Sequence, residues 1–262
     1  MLELARINSE PQAGANWSHS EPGGLVVGLA RTHHELEALQ RFRYEVFTQE
    51  MQALFPNARD GLDADRYDTW CEHVMVSELG TGRVVGTYRL LTPENARRAG
   101  GYYSEAEFDL GPIDHLREQL FELGRSCTHP DYRNGSVILL LWSGIARLVQ
   151  QHACRYVLGC ASVSLRDGGA SAAKVWRQAS GPMAEAARAG LPRVAPLHRY
   201  PVDCLDEGLP ARVPPLIKGY LKVGASICGE PAWDPDFNTA DFPVLLDIEN
   251  LDPRYRRHFG LV

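Results

Sequence analysis

Two charged residues lie in a segment that is otherwise typical of a buried strand. The segment is Phe121-Glu-Leu-Gly-Arg-Ser-Cys-Thr128, so Glu122 and Arg125 are three positions apart. A buried carboxylate with a raised pKa can remove a proton from a nucleophile, and an arginine can bind an anionic group. In a regular strand the two side chains would point to opposite faces, unless a bulge lies between them.

A glycine turn follows this strand. Arg133-Asn134-Gly135 precedes a helix that we expect to begin at Ser136. The first N–H groups of a helix have no helical acceptor, and the helix dipole is positive at that end, so phosphate groups bind there. An ordinary helix start has the same pattern, and the turn alone does not indicate a function.

Further charged residues interrupt apolar patterns. Arg43 lies on the apolar side of a predicted helix, and Arg89 interrupts the apolar strand Val84–Leu91. Between them a predicted loop, 55–70, carries Asp60, Asp63, Asp65 and Asp68. Because a buried guanidinium needs a carboxylate partner, the pattern predicts an internal ion-pair network. Such networks serve either as scaffold or as part of an active site.

The elements that must position these residues alternate between strands and helices. We predict strands over residues 24–30, 72–79, 83–91, 121–128, 155–161 and 242–248. A capping box, Thr32-His-His-Glu35, predicts the start of the first helix. Further helices are predicted over 113–120, 136–152 and 174–190, and 216–223 is predicted to be a short helix or an amphipathic segment. The segment 92–106 is predicted to be a polar connection and the segment 191–215 to be irregular.

This order of elements predicts an α/β (α+β) fold in which helices flank a central mixed sheet on both faces. Residues 1–22 are rich in Ser, Asn, Gly and Pro, which indicates a flexible leader. Residues 23–262 are predicted to form a single domain with a C-terminal extension. Its last part, 253–259, is a basic and aromatic tail.

Composition narrows the possible partners. The chain has 262 residues, 44% of them apolar, and a net charge of −6, which argues against nucleic acid as a partner. The six cysteines form no Cys-x-x-Cys pair and no secretory signal opens the chain, so free thiols in a reducing cytoplasm are expected. The longest apolar run, Val137–Trp142, is far below the roughly 20 residues that span a bilayer, although peripheral membrane contact stays possible.

Other catalytic motifs do not fit. Gly224-Ala-Ser-Ile-Cys228 lacks the closing glycine of a serine-hydrolase elbow, and His33-His-Glu35 has no second histidine at zinc-protease spacing. Cys71-Glu-His73 and Cys127-Thr-His129 also lack the usual zinc spacings, so we expect no metal site. Gly23–Gly28 is not followed by the helix of a dinucleotide loop.

Taken together, the motifs resemble the ornithine-lipid N-acyltransferases, a family of the GNAT (N-acetyltransferase) fold. The resemblance extends from about Gly28 to Phe259. It rests on Arg43-Tyr-Glu-Val-Phe47, Asp65-Arg-Tyr-Asp68, Val85-Gly-Thr-Tyr-Arg-Leu-Leu91, Phe121-Glu-Leu-Gly-Arg125, His129-Pro-Asp-Tyr-Arg-Asn-Gly135, Leu158-Gly-Cys-Ala-Ser162, Pro215-Leu-Ile-Lys-Gly-Tyr220 and Phe237-Asn-Thr239. The charged elements are also similar to those of the acyl-homoserine-lactone synthases, whereas the C-terminal third follows the lipid-making relatives.

The resemblance implies a mostly antiparallel sheet and the first step of ornithine lipid biosynthesis. In that step a long 3-hydroxyacyl chain passes from acyl carrier protein to the α-amine of L-ornithine and gives a lyso-ornithine lipid. No metal or redox cofactor is implied. The alternatives are an enzyme for another amine (glycine, lysine or an S-adenosylmethionine-derived signal precursor) and a binding module without catalysis.

On this interpretation Glu122 is the base and Arg125 its partner. The residues expected to bind substrate or form the ion network are Arg43, Phe47, Asp65, Asp68 and Arg89. Those expected to contact the thioester and the phosphate of the phosphopantetheine arm are Ser126, Cys127, Thr128, Arg133, Asn134, Gly135 and Ser136. Arg133, Arg147, Arg155 and Arg177 are candidate docking charges for the acidic carrier protein.

Two segments each allow two interpretations. The first half of the Ser136 helix either lines the acyl tunnel or is ordinary core. The tail 254–259 either contacts anionic lipid headgroups or is a solvated terminus.

Overall fold

The computed structural model describes residues 20–21, 24–55, 58, 60–181, 190–205 and 210–259. Its strands, in chain order, are β1 (Ser20–Glu21), β2 (Leu25–Leu29), β3 (Glu72–Glu78), β4 (Val84–Leu91), β5 (Phe108–Asp109), β6 (Leu120–Thr128), β7 (Tyr156–Ser164), β8 (Ala195–Pro196), β9 (Ser226–Ile227), β10 (Ala232–Asp234) and β11 (Thr239–Asp247). The main sheet has the order β1-β2-β3-β4-β6-β7-β11-β10, and β9 also pairs with β11. Every pairing in it is antiparallel except that of β6 with β7, as the predicted fold class requires.

The α-helices of the described residues are α1 (His33–Met51), α2 (Pro93–Ala99), α3 (Ser136–Gln151), α4 (Ala170–Ser180), α5 (Pro215–Val223) and α6 (Pro253–His258). Six short 3-10 helices accompany them: Asp68–Trp70, Tyr103–Ala106, Gly111–Gln119, Pro130–Tyr132, Val202–Cys204 and Ile248–Asn250. The predicted capping box starts α1, because Thr32 Oγ1 accepts from Glu35 N at 3.2 Å and Glu35 Oε2 accepts from Thr32 N at 2.9 Å.

The helices cover both faces of the sheet. The apolar residues of α3, such as Leu141 and Leu148, pack on β2, β3 and β4 to form one core cluster. Helices α4 and α5 extend this layer over β7 and β11. Helix α1 lies on the opposite face against β4 and β6. The sheet is therefore buried on both sides, which explains why a charged strand residue needs an internal partner.

Several predicted boundaries were wrong. The segment 92–106, predicted as a polar connection, contains a helix: Pro93 occupies the first turn of α2, and Thr92 Oγ1 caps it by accepting from Asn95 N at 3.2 Å. The short helix predicted over 113–120 is the 3-10 helix Gly111–Gln119, so its bounds differ by one or two residues. Strand β11 begins at Thr239, three residues before the predicted start. The segment 191–215 contains β8 and one of the 3-10 helices.

Other expectations concern residues near the limits of the description. The helix predicted over 174–190 begins at Ala170, and its described part ends at Ser180; residues 182–189 lie outside the described residues. Of the predicted leader, residues 1–19 and 22 also lie outside, while Ser20–Glu21 pairs with β2. Five cysteines within the described ranges have free thiols: Cys71, Cys127, Cys154, Cys160 and Cys228. No helix within the described ranges has the length and apolar character that crossing a bilayer requires.

Candidate active site

Strands β6 and β7 separate in the middle of the sheet. Their parallel pairing runs only from Leu120 with Tyr156 to Leu123 with Gly159. A Cβ atom on Gly159 would lie 3.0 Å from the carbonyl oxygen of Leu123, so glycine permits this last close pair. Beyond it the two strands no longer pair, although each continues for several residues. A cavity occupies this gap.

The cavity has two arms, one on each face of the sheet. Because successive strand residues alternate in direction, Glu122 and Leu123 point to opposite faces, and both line the cavity. The arm on the α1 face is polar and is lined by Cys71, Arg89, Tyr103, Ser104, Glu122, Arg125, Cys160, Asp234 and Asp241, with Phe47 and Phe237. The arm on the α3 face is apolar and is lined by Trp142, Ile145, Ala146, Val149, Val157, Leu216, Tyr220, Val223, Leu246, Ile248, Leu251 and Phe259. A charged head and an apolar chain can therefore share one continuous site.

Three arginines and three aspartates form a closed ring beside the polar arm. Arg43 contacts Asp63 (2.9 Å) and Asp68 (2.8 Å). Arg89 contacts Asp68 (2.9 Å) and Asp65 (2.7 Å). Arg125 contacts Asp65 (3.3 Å) and Asp63 (3.2 Å), and so closes the ring. The predicted ion-pair network exists, with Asp63 as a member that the sequence analysis did not select.

Most of the ring is removed from solvent. The side chain of Arg43 is 0% exposed and that of Asp68 only 3%, whereas Asp65 is 24% exposed. Burial alone would raise the pKa of Asp68, but the guanidinium groups of Arg43 and Arg89 hold it well below its ordinary value. Asp68, which contacts both arginines, is therefore ionised at neutral pH. The ring joins α1, the loop before β3, β4 and β6.

A bulge in β6 turns Arg125 toward the polar arm. Thr87 pairs with Cys127 and Arg89 with Gly124, so Tyr88 alone lies opposite the two residues Arg125 and Ser126. Arg125 has a φ of 49°, which is uncommon for a residue with a side chain and is maintained only when surrounding contacts fix it. The bulge explains how Glu122 and Arg125, three residues apart, both line one cavity.

Aromatic rings complete the environment of Arg125. Its guanidinium carbon lies 4.9 Å from the ring centroid of Tyr103 and 4.9 Å from that of Phe237. Phe47 contacts Phe237 edge-on, with 5.6 Å between centroids. Phe47 lines the cavity and extends the aromatic wall that supports Arg125.

Glu122 is not a member of the ring. Its carboxylate accepts from Tyr103 N (2.8 Å), Ser104 N (2.8 Å) and Ser104 Oγ (2.6 Å). Burial raises its pKa, and the hydrogen bonds from Ser104 and Tyr103 oppose that shift. A carboxylate has about four lone-pair sites, so three are in use and one remains for a ligand in the cavity. The sequence analysis did not identify Tyr103 or Ser104.

The predicted phosphopantetheine-binding residues lie in two places, the end of β6 and the turn before α3. Ser126 lines the cavity, whereas the side chain of Cys127 packs with Phe42 and Val46 in the core below α1. Only the backbone of Cys127 can therefore contact a ligand in the gap. At the turn, Gly135 has a φ of 98°, and Asn134 Oδ1 accepts from Ser136 N at 3.1 Å.

Some of the candidate docking charges have intramolecular partners. Arg133 pairs with Glu50, and Arg155 pairs with Asp247 (2.8 Å) and Glu249 (2.7 Å). The C-terminal tail forms α6, and its Phe259 packs against Trp142 with 6.0 Å between centroids. The tail therefore closes part of the apolar arm, and the prediction of a solvated terminus was wrong for its aromatic residues.

Comparison with known proteins decides the family. A profile of the acetyltransferase (GNAT) domain matches residues 42–143. The chain is 34% identical over 252 residues to the L-ornithine N(alpha)-acyltransferase of Agrobacterium fabrum, which covers 91% of this chain and 86% of the relative. The protein of that description from Rhodobacter capsulatus is also 34% identical over 252 residues, with 91% and 95% covered. The chain belongs to the L-ornithine Nα-acyltransferase family.

A solved structure shares the fold of this acyltransferase. FeeM, an N-acyl amino acid synthase from uncultured soil microbes, aligns with a TM-score of 0.52 and 9% identity over 86% of this chain and 92% of FeeM. Together with the match to the acetyltransferase domain profile, this confirms the GNAT fold expected from the sequence, and the curated relatives confirm the assignment of the chain as an acyltransferase.

The ring of this acyltransferase predicts a large stability effect at Arg43. In Arg43→Met the carboxylates of Asp63 and Asp68 stay buried and lose one arginine, so the free energy of unfolding should fall by about 3–5 kcal/mol. Urea denaturation at pH 7.5 measures this. Arg41→Met is the matched control, because Arg41 lies on the same helix and forms an exposed pair with Glu37; it should cost less than about 1 kcal/mol. Equal losses in the two variants would contradict the role of the ring.

Proposed function

We propose that the chain transfers a long 3-hydroxyacyl group from acyl carrier protein to the α-amine of L-ornithine, which gives a lyso-ornithine lipid. The observation that carries the proposal is the two-armed cavity. Its apolar arm suits an acyl chain, its polar arm suits an amino acid, and the gap between β6 and β7 joins them. The names of the relatives support ornithine as the acceptor.

Glu122 is placed to act as the base. An ammonium has no lone pair, so the α-amine must lose a proton before it attacks the thioester carbon. The raised pKa of Glu122 makes it a better proton acceptor near neutral pH. Glu122 passes this first proton to solvent. The amine nitrogen then forms the C–N bond and loses a second proton through Glu122, the C–S bond breaks, and the departing thiolate receives that second proton. No covalent enzyme intermediate is required.

The gap between the strands supplies hydrogen-bond donors. Beyond Leu123, the edge of β6 that faces β7 has no strand partner, so the backbone around Ser126–Thr128 can donate to the oxyanion of the tetrahedral intermediate. The phosphate of the phosphopantetheine arm would bind at the start of α3, where Gly135 opens the turn and the helix dipole is positive. Arg133 lies at the same turn and could exchange its partner Glu50 for the carrier protein.

Product analysis tests the reaction directly. The purified protein is incubated with 3-hydroxyacyl carrier protein and a panel of amino acids, and the products are identified by mass spectrometry. We expect acyl-ornithine as the main product. Acylation of glycine or lysine in preference to ornithine would refute the acceptor, a lactone from S-adenosylmethionine would indicate a signal synthase, and no product with any amine would indicate a binding module.

Replacement of Glu122 tests the base. Glu122→Gln keeps the shape of the side chain, and we expect turnover at pH 7 to fall by about 10²–10⁴-fold. The deficit should shrink above roughly pH 8, because the free α-amine then loses its proton in solution. Ser104→Ala is the matched control: it removes one donor from the same carboxylate and should cost less than about tenfold. A loss in Glu122→Gln that is constant with pH would indicate a purely structural residue.

A substitution in the apolar arm tests the position of the acyl chain. Ala146 lies on α3 at the cavity wall and is 5% exposed. Ala146→Leu fills part of the arm, so the preferred acyl donor should become shorter by roughly two carbons or more. Competition among donors of different length measures this shift. Gln150→Leu, on the exposed side of the same helix, should leave the preference unchanged, and an unchanged preference in Ala146→Leu would place the chain elsewhere.

A further inference from the structure

Three carboxylates meet at the end of the polar arm, on the far side of Ser104 from Glu122. One oxygen each of Glu107, Asp234 and Asp241 lies within 4.8 Å of the other two. Asp234 and Asp241 line the cavity, and Ser104 Oγ lies 2.6 Å from Glu122 and 3.3 Å from Cys160 Sγ. Asp234 and Asp241 thus share a cavity with the proposed base, and Glu107 adjoins them.

The group has unused acceptors that point to a ligand. Asp241 is only 4% exposed, and its Oδ1 has no hydrogen-bond partner. Both carboxylate oxygens of Glu107 are also buried without a hydrogen bond of good geometry, and their polar neighbours are the Cys160 thiol and the Asp241 carboxyl. Asp234 differs, because its Oδ1 accepts from the backbone N–H groups of Asp236 (2.9 Å) and Phe237 (3.0 Å). Buried acceptors without donors are costly, and a cation with several N–H groups would satisfy them.

Within the described residues, the guanidinium of Arg125 forms no ion pair with these three carboxylates. Arg125 lines the same arm, but its ion pairs go to Asp63 and Asp65 in the ring. Burial raises the pKa of Asp241 to about 6, and burial together with the charges of Asp241 and Asp234 raises that of Glu107 well above its ordinary value. Without a cation, therefore, negative charge on Asp241 and Asp234 opposes ionisation of Glu107.

We propose that Asp241, with Glu107 and Asp234, binds the side-chain ammonium of the acceptor and so selects an amino acid with a second amine. This inference rests on the proposed function and adds the residues that would recognise the side chain of the acceptor amino acid. An ammonium has three N–H donors and no acceptor, which matches three converging carboxylates. A hard divalent cation would require about six to eight oxygen ligands, and here one of the three carboxylates already accepts two backbone N–H groups.

The experiment compares L-ornithine with L-norvaline, which has the same carbon chain without the terminal amine. Acyl transfer to each is measured at pH 7.5 in the wild type, in Asp241→Asn and in the control Asp236→Asn, whose exposed side chain lies in the loop between β10 and β11. The wild type should prefer ornithine. Asp241→Asn should lower kcat/KM for ornithine by about tenfold to a hundredfold, mainly through KM, and leave norvaline unchanged. Asp236→Asn should change neither.

The outcomes separate this subsite from the proposed function. If the wild type acylates norvaline as well as ornithine, the subsite is refuted while acyl transfer stands. If it acylates neither, the acceptor assignment is refuted, and calorimetry with ornithine decides the subsite: binding that Asp241→Asn abolishes supports it, and no binding refutes it. Ornithine turnover that requires a divalent cation and stops with EDTA would overturn the ammonium as occupant.

A raised unfolding temperature in Asp241→Asn would agree with the proposal, because the substitution removes one charge from a repelling group. If Asp241→Asn failed to fold, Glu107→Gln would test the same subsite from the other side. It should lower ornithine use and spare norvaline in the same way, and equal losses with both acceptors would contradict the proposal.

Discussion

The closed ring of Arg43, Asp68, Arg89, Asp65, Arg125 and Asp63 is the interaction on which the site depends. Each side chain contacts two of opposite sign between α1 and the sheet, and four of the six are buried: Arg43, Asp63, Asp68 and Arg89. A buried ion pair rarely stabilises a fold more than apolar packing would, but it restricts the positions of its side chains, because a buried charge without its partner is costly. Here the two ion pairs of Arg125 hold this residue in an uncommon backbone conformation in the wall of the polar arm.

The separation of β6 from β7 then gives this fixed site two sides. One face of the sheet presents charges, and the other presents the apolar side chains of α3, α5 and α6. A reaction that joins a polar amine to an apolar chain needs such an arrangement, because each reactant requires a different solvent environment and the reacting atoms must meet between them. The family membership and the geometry therefore agree.

The sequence predicted the parts of this site that disturb a regular pattern. Four residues were identifiable because each is a charge in an apolar element: Arg43, Arg89, Glu122 and Arg125. The spacing of the last two left two alternatives, opposite faces of a regular strand or a bulge, and the structure has the bulge. Asp241 is likewise a charge in an apolar strand. The predicted strand begins at residue 242, however, so Asp241 lay outside every predicted element, whereas β11 begins at Thr239. Which aspartate of 60–68 pairs with which arginine depends on the loop path, and that path is set by tertiary contacts that no local pattern records.

The most direct test of the central claim, that one cavity holds both reactants across the sheet, is a crystal structure with N-(3-hydroxyacyl)-ornithine bound. The account predicts the acyl chain among Trp142, Ile145 and Leu246, the new amide in the gap beside Glu122, and the amino-acid part on the α1 face of the sheet. Density for the acyl chain on the α1 face, or outside the gap between β6 and β7, would contradict it.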